Sequence, residues 1–217
     1  MNFTLTILED MKDSLQQLFS SPTAVIVLLV LLAGIVFILR FSKIKFTTRL
    51  MTHVAIAVAI SVVLDMIKLF SMPYGGSVTL ASMLPIFLIS FAYGPSVGYL
   101  TGFIYGIVDL ILGAYIIHPI QLLLDYPMPY LLIGVSGYFK NNYLLGVILG
   151  TGMRFLSHFL SGVVFFPEYT PEGMNPIWYS VVYNAQYMIP EMIIIIVVIM
   201  VFPIKRIIKQ MAPHRIQ

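Results

Sequence analysis

Seven ionisable side chains sit inside stretches otherwise built of Val, Leu, Ile, Phe and Gly: Asp65, Lys68, Asp109, Asp125, Arg154, His158 and Glu191. A charge in such surroundings is costly in lipid. It normally turns toward a bundle interior or a wet cavity, and it marks function by default. One of the seven stands out by its neighbours. In Leu124-Asp125-Tyr126-Pro127 a carboxylate lies beside a tyrosine, and Tyr115, Phe166, Tyr169, Trp178, Tyr179 and Tyr183 fall toward the same side of the chain. An anionic group among several π faces is the chemistry that holds an organic cation, because charge is compensated while flat rings stack. An interfacial aromatic belt would use the same residue types. The adjacent carboxylate favours a site.

The remaining charges take milder assignments. Asp65 and Lys68, spaced i, i+3 on one helix, are expected to pair with each other. Arg154 and His158 are i, i+4 and share a face, with Arg154 deeper and expected to pair with Glu191 or a backbone carbonyl. Asp109, one turn from Tyr105, would satisfy a neighbour in the bundle. Ser157 and His158 point about 100° apart on a helix and cannot form a dyad. No His-Glu-x-x-His, P-loop or nucleophile-elbow pattern occurs, so an enzyme is not expected. With no cysteine, thiolate metal sites and disulfides are excluded. A pump built on this chain would need its ATP-driven motor in another polypeptide.

The elements that must position these groups follow from composition. Of 217 residues, 59% are hydrophobic and 10% charged, whereas soluble chains carry about 25% charged residues. The mean hydropathy is +0.97. Such a chain is an all-α, polytopic helical membrane protein. That excludes a cytosolic enzyme, a secreted disulfide scaffold and, despite a pI near 9.0, a nucleic-acid binder. Seven spans are expected, at about Thr23–Leu39, Leu50–Leu69, Val78–Ala92 (broken by Pro85), Pro95–Gly113, Pro119–Tyr138, Tyr143–Phe166 and Ile177–Phe202. Two regions result. Residues 1–49 hold a loosely amphipathic segment (3–19) suited to the membrane surface, an extra helix and a basic loop. Residues 50–217 hold a six-helix domain with a basic tail. The acidic lead of Glu9, Asp10 and Asp13 argues against a cleaved signal peptide for the first span.

Nine Lys and Arg residues (40, 43, 45, 49, 140, 205, 206, 209 and 215) fall on one side of a seven-span topology, and none falls in the opposite loops. The basic side should be cytoplasmic, with the N-terminus outside and the C-terminus inside. From the helix rise, Asp125 lies roughly 9 Å and His158 roughly 12 Å below the outer ends of their helices. Tyr179 and Asn184 lie roughly 3 and 10 Å inside theirs. Three helices thus bring polar groups to a similar depth in the outer half, as a pocket open to the outside would. Gly98, Gly102 and Gly106 at period four imply close packing of the fourth span, and Ala55 and Ala59 make a small-x-x-x-small face on the second.

From about Met51 to Lys205 the chain resembles the thiamine-specific substrate-binding (S) components of energy-coupling factor (ECF) vitamin transporters. The segments that carry this likeness are Pro119-Ile-Gln-Leu-Leu-Leu-Asp125-Tyr126-Pro127, Arg154-Phe-Leu-Ser-His158-Phe-Leu-Ser-Gly162, Phe165-Phe166-Pro-Glu-Tyr169-Thr-Pro-Glu-Gly173 and Tyr179-Ser-Val-Val-Tyr-Asn184. The resemblance implies a six-helix S-component core, with the N-terminal helix as an addition. It also implies capture of thiamine from outside and partnership with a membrane scaffold (T) component and two ATPase (A) subunits. No cofactor is implied for the chain itself, ATP being used by the partners. By the same resemblance, Asp125 faces the vitamin's cationic or aminopyrimidine part and Tyr126 accompanies it. His158 and Asn184 donate or accept hydrogen bonds, Phe166 stacks, and Tyr179, Tyr115 and Tyr105 are ring neighbours. Gly162 permits close approach, and Ala55 and Ala59 dock the scaffold. Asp125 is one methylene shorter than the Glu of many relatives, and Phe166 stands where some have Trp. The alternatives are the same architecture binding a thiamine precursor or another cationic vitamin-like heterocycle, and a proton-driven secondary transporter, which is disfavoured by small size and by the lack of an inverted repeat.

Overall fold

A computed structural model describes residues 3–20, 46–73 and 75–212, together with single positions 22, 25, 26, 29, 32, 33, 36 and 44. The span expected at Thr23–Leu39 lies for the most part outside the described residues, as do Arg40, Lys43, Lys45, Tyr74 and Arg215. Among the described residues the order is α1 (Phe3–Ser20), α2 (Thr48–Asp65), β1 (Lys68–Ser71), β2 (Ser77–Thr79), α3 (Leu84–Tyr93) and α4 (Pro95–Gly113). It continues with α5 (Pro119–Asp125), α6 (Pro127–Leu132), a 3-10 segment (Ile133–Phe139), α7 (Tyr143–Phe165), α8 (Pro176–Val201) and α9 (Ile204–Met211).

Four of these helices, α2, α4, α7 and α8, are long and apolar enough to cross a membrane. Their outward faces suit acyl chains: Leu156, Leu160 and Val164 on α7, and Ile189, Ile193, Val197 and Met200 on α8, are exposed at helical spacing. Inside, Phe87, Ile86, Tyr105, Tyr130, Ile133, Val147 and Ile195 form the main apolar core. The protein is a multi-pass helical membrane protein.

Three expectations need correcting. The second span stops at Asp65 instead of reaching Leu69, because residues 68–79 form an antiparallel hairpin, Lys68 opposite Thr79 and Ser71 opposite Ser77. The left-handed Gly75 and Gly76 turn it (φ 94° and 79°), a conformation that glycine adopts without Cβ strain. The fold is therefore helical with one small hairpin. Second, Pro85 opens α3 instead of breaking it: a first-turn proline lacks only an N–H that the helix would leave free. Third, the fifth span is not one helix. It breaks at Tyr126, which is followed by Pro127 and Pro129, because proline removes the interior hydrogen bond, and it ends as 3-10 turns. Residues 3–19 form a helix, and α1 is docked on the end of α4. Buried Ser14 Oγ accepts from the Ala114 backbone N–H at 2.8 Å.

The break at Tyr126 is held from behind by the glycine run of α4. A Cβ at Gly106 would lie 2.6 Å from the Tyr126 carbonyl oxygen and 2.7 Å from Pro127 Cα, so only glycine lets the two backbones meet there. At the other end, Ile204 and Ile208 of α9 bury against the core while Lys205, Arg206 and Lys209 face outward, and the Arg49 guanidinium donates to the Gln210 carbonyl.

Candidate functional site

The hairpin, α4, α5, α7 and α8 enclose a cavity of about 320 Å³. Its wall is assembled by short polar ties. Ser157 Oγ donates to the Leu124 carbonyl at 2.7 Å and joins α7 to α5, while Ser180 Oγ donates to the Phe159 carbonyl at 3.0 Å and joins α8 to α7. Gly162 is what allows the second tie, since a Cβ there would collide with Ser180 Oγ.

On this frame Asp125 projects into the cavity with both oxygens engaged. Oδ2 accepts from Gln121 Nε2 at 2.7 Å, and Oδ1 faces His158 Nδ1 at 3.3 Å. A carboxylate accepts only, which assigns the ring proton to Nδ1. With the ring neutral, Nε2 is then a bare acceptor, and that atom is buried with no partner. Among the described cavity-lining side chains, the other buried polar atom without a partner is Arg154 Nε. A buried acceptor left open on a cavity wall is an expense that a ligand donor would offset.

One helical turn deeper lies a denser network. Arg154 Nη1 donates to Glu191 Oε2 at 3.1 Å, so the expected pair forms, and the guanidinium sits 5.0 Å over the Tyr130 ring. The hydroxyls of Thr79 and Ser82 lie 2.7 and 3.1 Å from Glu191 Oε1. Tyr130 donates to Asp109 Oδ2 at 2.9 Å. Asp65 does not pair with Lys68; it meets Ser82 Oγ at 3.5 Å, because Lys68 has left the helix for β1. In all, four carboxyl groups (Asp65, Asp109, Asp125, Glu191) and two cationic side chains (Lys68, Arg154) line the cavity, an acidic balance that favours a positively charged guest.

The mouth is aromatic. Tyr179, Tyr183 and Tyr187 follow one another at i, i+4 on α8, with neighbouring rings 5.7 and 6.3 Å apart. The Tyr183 hydroxyl donates to the Gly75 carbonyl at 2.6 Å, and Gly76 lies so close to Tyr187 that a Cβ would stand 2.7 Å from its ring. Across the opening the Tyr115 and Tyr169 hydroxyls are 3.3 Å apart, and Phe166 stands beside Tyr169 at 5.7 Å.

The structure brings Asp125, Tyr126, His158, Phe166, Tyr179, Asn184, Tyr115 and Gly162 to this one cavity. It does not bring Tyr105, which is 1% exposed with its ring edge-on against Tyr130; Tyr105 belongs to the core behind the wall. Asn184 is partly committed already, its Nδ2 donating to the Ser180 carbonyl at 2.9 Å and its Oδ1 accepting from Tyr187 at 2.8 Å. Trp178 is 62% exposed and off the cavity, one residue and about 100° around the helix from Tyr179.

Comparison with known proteins bears on this arrangement. The sequence model of the family described as thiamine transporter protein (Thia_YuaJ) matches residues 51–211. That range contains every cavity-lining residue. The chain belongs to this family. It is 40% identical over 167 residues to the thiamine transporter ThiT of Bacillus subtilis (strain 168), covering 68% of this chain and 86% of that protein. It is 29% identical over 137 residues to the ThiT of Lacticaseibacillus paracasei, covering 54% and 68% respectively. A solved structure of ThiT from Listeria monocytogenes superposes with a TM-score of 0.68 at 23% identity, over 76% of this chain and 97% of that one, a likeness of fold. Helix α1, with Ser14, lies outside the matched range of the thiamine transporter family.

In this family member, sequence reasoning overlooked Gln121 and Tyr187 as parts of the site. Tyr187 had a signal, the four-residue spacing from Tyr179 and Tyr183. Gln121 had one too, standing i−4 from Asp125 on the same helical face. Ser180, Gly75 and Gly76 had none, because nothing local says that the hairpin folds over α8.

Proposed function

We propose that the cavity captures thiamine from the outer side of the membrane, and that the chain is the substrate-binding subunit of an ATP-driven ECF transporter. The observation that carries this is the Asp125–His158 pair with its open Nε2. Thiamine presents a permanent thiazolium cation and an aminopyrimidine whose exocyclic amine is a donor. An acidic cavity rimmed by tyrosines suits the cation, and a bare imidazole nitrogen suits the amine. Asp125 supplies charge compensation, His158 accepts from the amine, and Phe166, Tyr126, Tyr179 and Tyr115 stack on the rings. Asn184 orients through its amide, with Gly162 making room.

The motor lies elsewhere, in two ATPase (A) subunits coupled through a membrane scaffold (T) component. Ala55 and Ala59 are exposed on the outward face of α2, where small residues allow another helix to approach. That face is the scaffold contact. The clustering of Lys and Arg supports a cytoplasmic C-terminus and an outward mouth.

The test is calorimetric titration of the purified protein alone, without ATPases or a proton gradient. Fluorescence of Trp178 is a poor substitute, since that side chain is exposed and does not line the cavity. Thiamine should bind saturably with one site. The analogue bearing a carbonyl in place of the pyrimidine amine should bind at least about tenfold more weakly, since it sets an acceptor against His158 Nε2. Absence of thiamine binding would sink the assignment, and equal binding of the two compounds would remove His158 from it.

A further inference from the structure

Gln121 is 1% exposed, and its primary amide makes three hydrogen bonds in two directions. Nε2 donates to Asp125 Oδ2 at 2.7 Å and to the Tyr115 carbonyl at 3.0 Å, while Oε1 accepts from the Ile117 N–H at 3.1 Å. Asp125 is the carboxylate of the cavity wall. Residues 115–117 belong to the connection between α4 and α5, from which Tyr115, 55% exposed, reaches across the mouth to Tyr169. A single buried side chain therefore ties the inner carboxylate to the outer gate.

Few side chains could take its place. The neutral amide alone offers two donors and an acceptor in one plane. A glutamate would set a second carboxylate against Asp125, and a methionine would keep the volume while losing all three bonds. The i, i+4 spacing on α5 is what lets the amide reach Asp125 along the same face. The rest of the connection is secured independently. The Tyr115 N–H donates to the Tyr126 hydroxyl at 2.7 Å, and the Ala114 N–H donates to Ser14 Oγ at 2.8 Å. Losing Gln121 therefore frees the carboxylate and one edge of the connection without dismantling it.

We infer that Gln121 is the positioning residue of the site, orienting Asp125 toward the ligand cation and coupling that carboxylate to the Tyr115 mouth. This rests on Asp125 facing the ligand, as proposed above. Asp125 is short, and a carboxylate fixed on one oxygen by Gln121 and on the other by His158 is pre-organised; one that must be ordered during binding costs affinity.

A double-mutant cycle decides it, because residues that act through each other are non-additive. Gln121→Met should weaken thiamine binding about 10–50-fold in the wild-type background and less than about threefold in an Asp125→Asn background. A residue that only props the fold would cost the same factor in both, and that result, or no loss in either, would overturn the inference. Gln121→Asn, one methylene shorter and still polar, repeats the cycle if the methionine variant does not fold. Amide exchange supplies a reading free of ligand. In the unliganded protein the Ile117 N–H should exchange at least tenfold faster in Gln121→Met, while the α7 amides around Ser157 keep wild-type rates. Unchanged protection at Ile117 would break the link to the mouth. Wild-type protein that fails to bind thiamine would instead count against the ligand assignment, leaving the exchange measurement to judge Gln121.

Discussion

The upper wall of the cavity and its floor use the same kinds of residue to opposite ends. At the floor, Glu191 spends one oxygen on Arg154 and the other on the hydroxyls of Thr79 and Ser82. Both carboxylate oxygens are taken, and among the described residues of this pair only Arg154 Nε is left without a partner. One turn of α7 higher, His158 meets Asp125 through one nitrogen and leaves the other, an acceptor, buried and open. Both pairs sit in an apolar bundle where an unpaired polar atom is costly. The floor has met most of that cost internally and serves the fold, whereas the wall has left part of it for a guest. A buried charge pair is thus not in itself a mark of a binding site; an acceptor left open toward a cavity is.

The largest effect should come from opening the floor. Glu191→Leu leaves the Arg154 guanidinium buried without its counter-charge, which should lower stability by about 3–5 kcal/mol. Thermal unfolding in detergent measures it. Replacing both partners, Arg154→Leu with Glu191→Leu, should recover most of the loss. If the single variant unfolds like wild type, the contrast between floor and wall is wrong.

At the wall the loss should fall on binding and spare the fold. Asp125→Asn is expected to cost about 2–3 kcal/mol of thiamine affinity, roughly 30–150-fold, with Tm close to wild type. A variant that binds normally would make Asp125 a structural carboxylate like Glu191. Phe166 tests the stacking surface. Phe166→Trp should tighten binding by about 0.5–1 kcal/mol, indole being the better face for a cation, and calorimetry that shows weakening would argue against Phe166 lying over the charged ring.

The smallest effect on either region should come from the lipid-facing side of α2. Ala55→Leu with Ala59→Leu should move neither Tm nor thiamine affinity by more than about 0.5 kcal/mol. Uptake by the assembled transporter should nevertheless be lost, because bulky side chains hold a partner helix away. Uptake at the wild-type rate would place the scaffold contact on another face.

Much of the bundle is legible in the order of residues. The bounds of α4 and α7 and the start of α8 follow from apolar length between prolines, glycines and asparagine caps. The hairpin is not, since Met66, Ile67 and Leu69 continue an apolar run that reads as helix until the chain turns at Gly75 and Gly76. The break after Asp125 is visible as Pro127 and Pro129, yet its consequence is not: two short helices and a 3-10 segment stand in place of one span. For the site, residues of strong chemical character in apolar surroundings, Asp125 and His158 above all, declare themselves. Gln121 declares itself only by its spacing, i−4 from Asp125, while its partners at Tyr115 and Ile117 stay hidden until the connection folds back.

The order of residues settles that this chain lives in a membrane and which side chains are too costly to be there without a reason. Those conclusions depend on composition, period and rise per residue, all local quantities. Which of the costly groups neutralise one another and which remain open is decided by packing between segments far apart in the chain. Glu191 is satisfied because hydroxyls from β2 and the turn after it arrive 112 and 109 residues away. Asp125 has its second oxygen engaged because α7 brings His158 to it across 33 residues. Hydrogen bonding at these distances is a property of the closed fold, and so is the imidazole nitrogen of His158 that the fold leaves unused.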